Sequence, residues 1–167
     1  MRHSVLSLLV ENTSGVLSRV AGLFSRRGYN IDSLTVGETN NPEFSRMTVA
    51  LHGDDQIIDQ IKKQLMKLED VISIEELKDN ESVCRELVLV KLECDKQQKQ
   101  DIIAIADVFR AKIVDVGIQS IMIELTGNTN KINAFMTLLD DYVIRQIVRT
   151  GLTGLTRGNY EVSDVEA

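Results

Sequence analysis

The chain has no tryptophan, and aromatic residues make up only 4% of its 167 positions. Its core must therefore be assembled from Val, Ile and Leu, and little is available for a surface that stacks on bases. Basic residues are outnumbered, 19 Lys and Arg against 25 Asp and Glu, giving a formal charge of −6 and a pI near 5.0. That balance argues against nucleic acid or an anionic membrane as the main partner. No apolar run approaches the roughly 20 residues that span a bilayer. The opening MRHSVLSLLVENTSG has an apolar patch too short for the centre of a signal peptide, with no small-residue cleavage site after it. It reads as the first strand of a cytoplasmic protein. There are two cysteines, Cys84 and Cys94. On one strand that separation spans roughly 33 Å, beyond disulfide reach. Neither has a His or a second Cys close by to suggest a metal site, so reduced thiols and no metal are expected.

What is present is a regular apolar pattern, carried by a 43% apolar share. Arg2–Val10 reads as a strand, and Leu17, Val20, Ala21 and Phe24 form one stripe of a helix over Val16–Arg27 that Gly28 ends. Asn30–Glu38 is β-rich, a turn follows around the only proline, and Met47, Val49 and Leu51 alternate in a further strand. Asp54 or Asp55 can cap a second helix with Ile57/Ile58, Ile61, Leu65 and Leu68 on one face, and Val71–Leu77 closes the set. A polar break, KDNES at 78–82, precedes the same order again: strand Arg85–Cys94, helix Lys96–Phe109, strands Lys112–Ile118 and Ser120–Gly127, helix Thr129–Asp141, strand Val143–Thr150. Two tandem βαββαβ units are the ferredoxin-like arrangement of the α+β class. The expected boundaries are 1–78, 83–158 and a tail at 159–167. Each unit is small and leaves one sheet face without helices, so pairing with a second copy is expected.

Enzyme readings find little support. His3 and His52 stand at strand ends with no nucleophile arrangement to serve, and no Walker loop, zinc spacing or dinucleotide fingerprint occurs. A phosphate cradle on this topology needs a basic residue in the first loop, and Glu11-Asn12-Thr13-Ser14-Gly15 has none. The same loop suits a smaller task. A helix start exposes unpaired N–H groups and a positive dipole end, which favour a carboxylate. Gly15 leaves the N–H groups of Gly15, Val16 and Leu17 accessible, and the Asn12 amide accepts from an ammonium or donates to an oxyanion. The plainer alternative is that Thr13 or Ser14 caps the helix and Gly15 only eases the turn.

The pattern EN-x-x-GVL-(x6)-F-(x3)-GYNI at 11–31 resembles the ACT domain, a βαββαβ module that binds amino acids. With SRMTVAL at 45–51 and TGLTGLTRG at 150–158, the whole chain resembles the small, regulatory subunit of acetohydroxyacid (acetolactate) synthase. The resemblance implies an ACT domain at 1–78 that pairs side by side with a second copy. Two equivalent sites would then lie at the interface. Asn12, Gly15, Val16 and Leu17 would form one wall, with Asn30 and Ile31 of the second copy forming the other. The implied effector is valine, with leucine or isoleucine as alternatives, bound by a non-catalytic chain. The implied partner is a large catalytic subunit that holds thiamine diphosphate, Mg²⁺ and FAD. Other readings are a free-standing amino-acid sensor and a small βαββαβ enzyme; co-purification with a thiamine-diphosphate enzyme separates the sensor from the subunit. Only the first unit is expected to bind amino acid, because the matching loop at 93–101 has no glycine and two crowding lysines.

Overall fold

Strand alternation in Arg2–Glu11 (β1) sends Leu6, Leu8 and Val10 to one face, where they meet the helices. The computed structural model describes residues 1–158; the expected tail at 159–167 lies outside them. After β1 come α1 (Val16–Arg26), β2 (Ser33–Glu38), β3 (Phe44–Gly53), α2 (Asp55–Leu65) and β4 (Val71–Glu76). The order repeats with β5 (Ser82–Glu93), α3 (Lys96–Val108), β6 (Lys112–Val116) and β7 (Ser120–Gly127), then α4 (Thr129–Leu138) and β8 (Val143–Arg149). A ninth strand, β9 (Thr153–Thr156), follows. The first sheet has the order β2-β3-β1-β4 and the second β6-β7-β5-β8, with β9 pairing β5. Every strand pair with a resolved register is antiparallel, so the fold is the α+β, doubly ferredoxin-like one expected.

Each unit has its own apolar core. In the first, Val20 and Phe24 of α1 and Ile58, Ile61 and Leu65 of α2 close over Leu6, Leu8, Met47 and Val49. Full burial of one such side chain stabilises by roughly 1.5–3 kcal/mol. In the second, Ile102, Ala106, Ile132 and Phe135 close over Val88, Val90, Leu92, Ile121 and Ile123. Gly28 stops α1: at φ +70 it lets Tyr29 N–H donate back to the Phe24 carbonyl and its own N–H donate to Ser25. That is the hydrogen-bond pattern of a Schellman terminus. Of the two candidate caps for α2, Asp54 is the one used, accepting from Ile57 N–H at 2.8 Å.

Packing draws the unit boundary elsewhere than at 78 and 83. Among the described residues, the first unit comprises Met1–Cys84 together with 151–158, and the second Arg85–Thr150. The returning segment is held by apolar burial and by strand pairing. Leu152 joins Val5, Ala50 and Leu77 in a small cluster on the helix-free face of the first sheet. Its carbonyl accepts from Thr35 Oγ1 and its N–H donates to Ser33 Oγ. Arg157 N–H donates to the Glu81 carbonyl at 2.7 Å, beside the opening residues of β5. The polar break at 78–82 is therefore shorter than its composition suggests, since β5 begins at Ser82.

Candidate functional site

The first helix starts unlike α2, α3 and α4. Its N-cap is Gly15, in the left-handed region at φ 87 and ψ −6, and no side chain caps it. The expectation that Thr13 or Ser14 caps the helix is therefore corrected. With Gly15 itself at the N-cap, both hydroxyls sit too early in the chain to reach the first-turn amides. By contrast Asp54 caps α2, Asn128 caps α4 through Lys131 N–H, and Asp95 caps α3 in a full capping box with Gln98. Gly15 needs its positive φ to turn the strand end into the helix, and its carbonyl then accepts the first helical bond from Arg19 N–H at 3.0 Å.

Around this open helix start stand Asn12 and Arg19. Asn12 is fixed to the chain before β3: its N–H donates to Glu43 O at 2.7 Å and its Nδ2 to Pro42 O at 2.9 Å. That use of Nδ2 leaves Oδ1 as the atom to accept from a ligand. Val16 is buried under the helix while Leu17 stays 46% exposed at the rim. Arg19 was not legible as part of the loop, yet its guanidinium reaches it. A Cβ built on Gly15 would lie 2.8 Å from Arg19 Nη1. Asp70 holds the guanidinium through Nε at 2.5 Å and pushes its pKa further up, so the cation persists at every working pH. The signal that would have found it is the i, i+4 spacing from Gly15, one helical turn along.

Asn30 and Ile31 are at the other end of the sheet. Ser33, which opens β2, is in register with Ala50, and Ala50 with Val5; Glu11, which precedes Asn12, is in register with Phe44. Six residues of strand separate those levels, about 20 Å at roughly 3.3 Å per residue. Within one chain the two groups of candidate residues thus lie too far apart for a single amino acid to bridge. Ile31 packs on the first core, while Asn30 donates from Nδ2 to Asp32 Oδ1 at 3.1 Å. Asp32 Oδ2 in turn takes His52 Nδ1 at 2.5 Å, and the His52 ring lies 5.0 Å from that of His3. The β2 strand that follows Asn30 is an edge of its sheet.

The groups gathered at the α1 start are backbone amides, a carboxamide and a guanidinium. None titrates near neutrality, and the chemistry they offer is recognition of an anion next to a hydrogen-bond donor. Among the described residues no three His, Cys, Asp or Glu side chains are grouped to hold a metal ion, and Cys84 and Cys94 are thiols outside any disulfide. No helix among them is long and apolar enough to cross a membrane.

Comparison with known proteins matches both units. A profile described as the AHAS small subunit-like ACT domain matches residues 6–73, and one described as the small subunit of acetolactate synthase matches residues 85–158. A probable acetolactate synthase small subunit of Archaeoglobus fulgidus is 45% identical over 159 residues, 95% of this chain and 99% of that protein. The acetolactate synthase small subunit of Haemophilus influenzae is also 45% identical, over 95% of this chain and 98% of its own length. The crystal structure of the small subunit from Thermotoga maritima superposes with a TM-score of 0.88 at 40% identity, covering 96% of this chain and all of that one.

Proposed function

The chain belongs to the acetolactate synthase small-subunit family, and on that premise we propose that it is the non-catalytic regulatory subunit of that enzyme. It binds the large catalytic subunit, raises its activity and conveys feedback inhibition by valine in branched-chain amino-acid biosynthesis. Thiamine diphosphate, Mg²⁺ and FAD belong to the large subunit, where pyruvate condenses with pyruvate or 2-oxobutyrate.

The observation that carries the effector reading is the uncapped, left-handed start of α1. Two copies pair through their first units along the β2 edges, so that the α1 start of one faces Asn30 and Ile31 of the other. The valine carboxylate lies on the N–H groups at Gly15, Val16 and Leu17, with the Arg19 cation adding to the positive field. The ammonium meets the free carbonyl oxygens of Asn12 and, from the second copy, Asn30. The branched side chain rests against Ile31 and the exposed part of Leu17. A site divided between two chains explains why the two half-sites stand about 20 Å apart in one chain. The second unit offers no equivalent, because the Asp95 carboxylate already occupies the start of α3. Inhibition then follows by linkage: valine lowers activity only as far as it binds the low-activity state more tightly, tenfold for each 1.4 kcal/mol.

The test is reconstitution. The purified chain, mixed with its large subunit, co-elutes with it, stimulates acetolactate formation and makes it valine-sensitive. The chain alone, given pyruvate and all three cofactors, forms none. Binding of valine without any association with a thiamine-diphosphate enzyme would instead identify a free-standing sensor.

A further inference from the structure

The side chain of an exposed asparagine has two nearly equivalent settings that exchange its oxygen and its NH₂ group, and only one of them accepts from an ammonium. At Asn30 that choice is made by neighbours. Asp32 is acceptor-only, so Asn30 must turn Nδ2 toward it, at 3.1 Å, which leaves Oδ1 outward for a ligand. Asp32 is itself held on two sides: its N–H donates to the Ala50 carbonyl at 2.8 Å, and its second carboxylate oxygen accepts from His52 Nδ1 at 2.5 Å. His52 belongs to β3, directly across from His3 on β1, so the relay is rooted in the two central strands of the sheet.

We infer that His52 and Asp32 are positioning residues for the effector: they hold the Asn30 amide in the setting that accepts from the ammonium of a bound α-amino acid. The inference rests on the proposed reading of Asn30 as one wall of the valine site. His52 touches no ligand. The Asp32 carboxylate can only accept, so His52 presents Nδ1–H to it, and the relay acts through geometry. Without it, Asp32 swings, the Asn30 amide samples both settings, and binding has to order the one Asn30 side chain that wild type holds ready. Immobilising rotamer-rich side chains on binding weakens affinity by about three- to tenfold in such a case.

The experiment is calorimetric titration of the full chain with valine, for wild type, Asn30→Ala, His52→Ala, His52→Asn and the double variant Asn30→Ala/His52→Ala. Asparagine carries an N–H donor close to the place of Nδ1, so it restores the link without an imidazole. The expected results are a loss of tenfold or more for N30A, a three- to tenfold loss for H52A, and affinity within twofold of wild type for H52N. In the double variant, H52A adds nothing to N30A, because its effect passes through that amide. An H52A chain that binds like wild type while N30A is weakened overturns the relay and leaves the site standing. So does an H52A loss that H52N fails to rescue, or one that adds in full to N30A. Unchanged binding in N30A, or no valine binding by the wild-type chain, overturns the reading of the site and this inference with it.

Discussion

Substitution of Gly15 separates backbone strain from charge at the proposed carboxylate position. Any side chain there must adopt φ 87, which costs roughly 1–2 kcal/mol for most residues and least for Asn and Asp. The new Cβ would stand 2.8 Å from Arg19 Nη1, but that atom is the far end of a half-exposed side chain and gives way at little cost. Asp at a helix start also gains about 0.3–1 kcal/mol from the dipole. Gly15→Asp is therefore expected to lower fold stability by about 1 kcal/mol or less, the strain partly offset by the dipole. Its effect on the ligand is larger. Two like charges 4 Å apart repel by about 1 kcal/mol in water and about 4 kcal/mol at an effective dielectric near 20, with Arg19 relieving part of this. Valine affinity should fall at least tenfold, about 1.4 kcal/mol. Gly15→Asn matches the volume and the strain without the charge, so it should bind valine about fivefold or more better than Gly15→Asp, the ratio for about 1 kcal/mol. The assay is a valine inhibition curve for each reconstituted complex, beside thermal melts of the isolated chains. An associated Gly15→Asp complex inhibited at wild-type valine concentrations would refute the placement of the carboxylate. Equal behaviour of the Asn and Asp variants would refute the charge argument.

Four further outcomes are expected. Glu76 is held down to about 2 from 4.5, chiefly by its hydrogen bond from Arg2, then by Ser4 and Lys62, with burial opposing. A depressed carboxyl stabilises the fold above its unfolded pKa and loses that contribution as pH falls from 4.5 toward 2. Glu76→Gln should thus cost about 1–3 kcal/mol at pH 7 and less than about 0.5 kcal/mol near pH 2, read as converging denaturation curves. Arg110 sits at φ 55 at the end of α3, where its N–H donates to Asp107 and Ala111 N–H to Ala106, the place Gly28 holds after α1. Arg110→Gly should therefore stabilise by about 0.5–1 kcal/mol, a rise of a few degrees in Tm. Calorimetry should count one valine per chain, since Asp95 fills the start of α3; Asp95→Ala should cost about 1 kcal/mol of stability and create no second site. Gly151→Ala should destabilise by about 1–2 kcal/mol in a melt, because φ there is +83 and the added Cβ would meet Ser33 Cβ at 2.7 Å.

Those positions show which parts of the molecule the sequence disclosed. Element type and order were legible because periodicity is a local consequence of burial: Leu6, Leu8 and Val10 alternate, and Val20 and Phe24 recur at helical spacing, whatever the partner turns out to be. Gly28 was legible for the same reason, since one residue's backbone freedom ends one helix. Contacts across the fold were not. The stretch after Gly151 looks like the tail of the second unit, yet Leu152 is buried against Val5, Ala50 and Leu77 because apolar burial is non-directional and that face lay open. Its hydrogen bonds go to Ser33 and Thr35, on the strand that follows Asn30.

The candidate site divides in the same way. Asn12, Gly15, Val16 and Leu17 come together as a loop and helix start must, but Arg19 joins them only because Asp70, more than fifty residues away, turns its guanidinium inward. His52 read as a bland strand-end histidine and proves to be tied to Asp32, twenty positions earlier. Both unread residues are polar side chains acting through a partner distant in sequence. Neither leaves a periodic trace, because a single charge-assisted bond is satisfied once and does not repeat. A sequence therefore shows most plainly the groups that would touch a ligand through the backbone. The groups that aim them become visible only in the fold: the Asp70 carboxylate behind Arg19 and the Pro42 backbone carbonyl behind Asn12 at one end of the sheet, and the side chains of Asp32 and His52 behind Asn30 at the other.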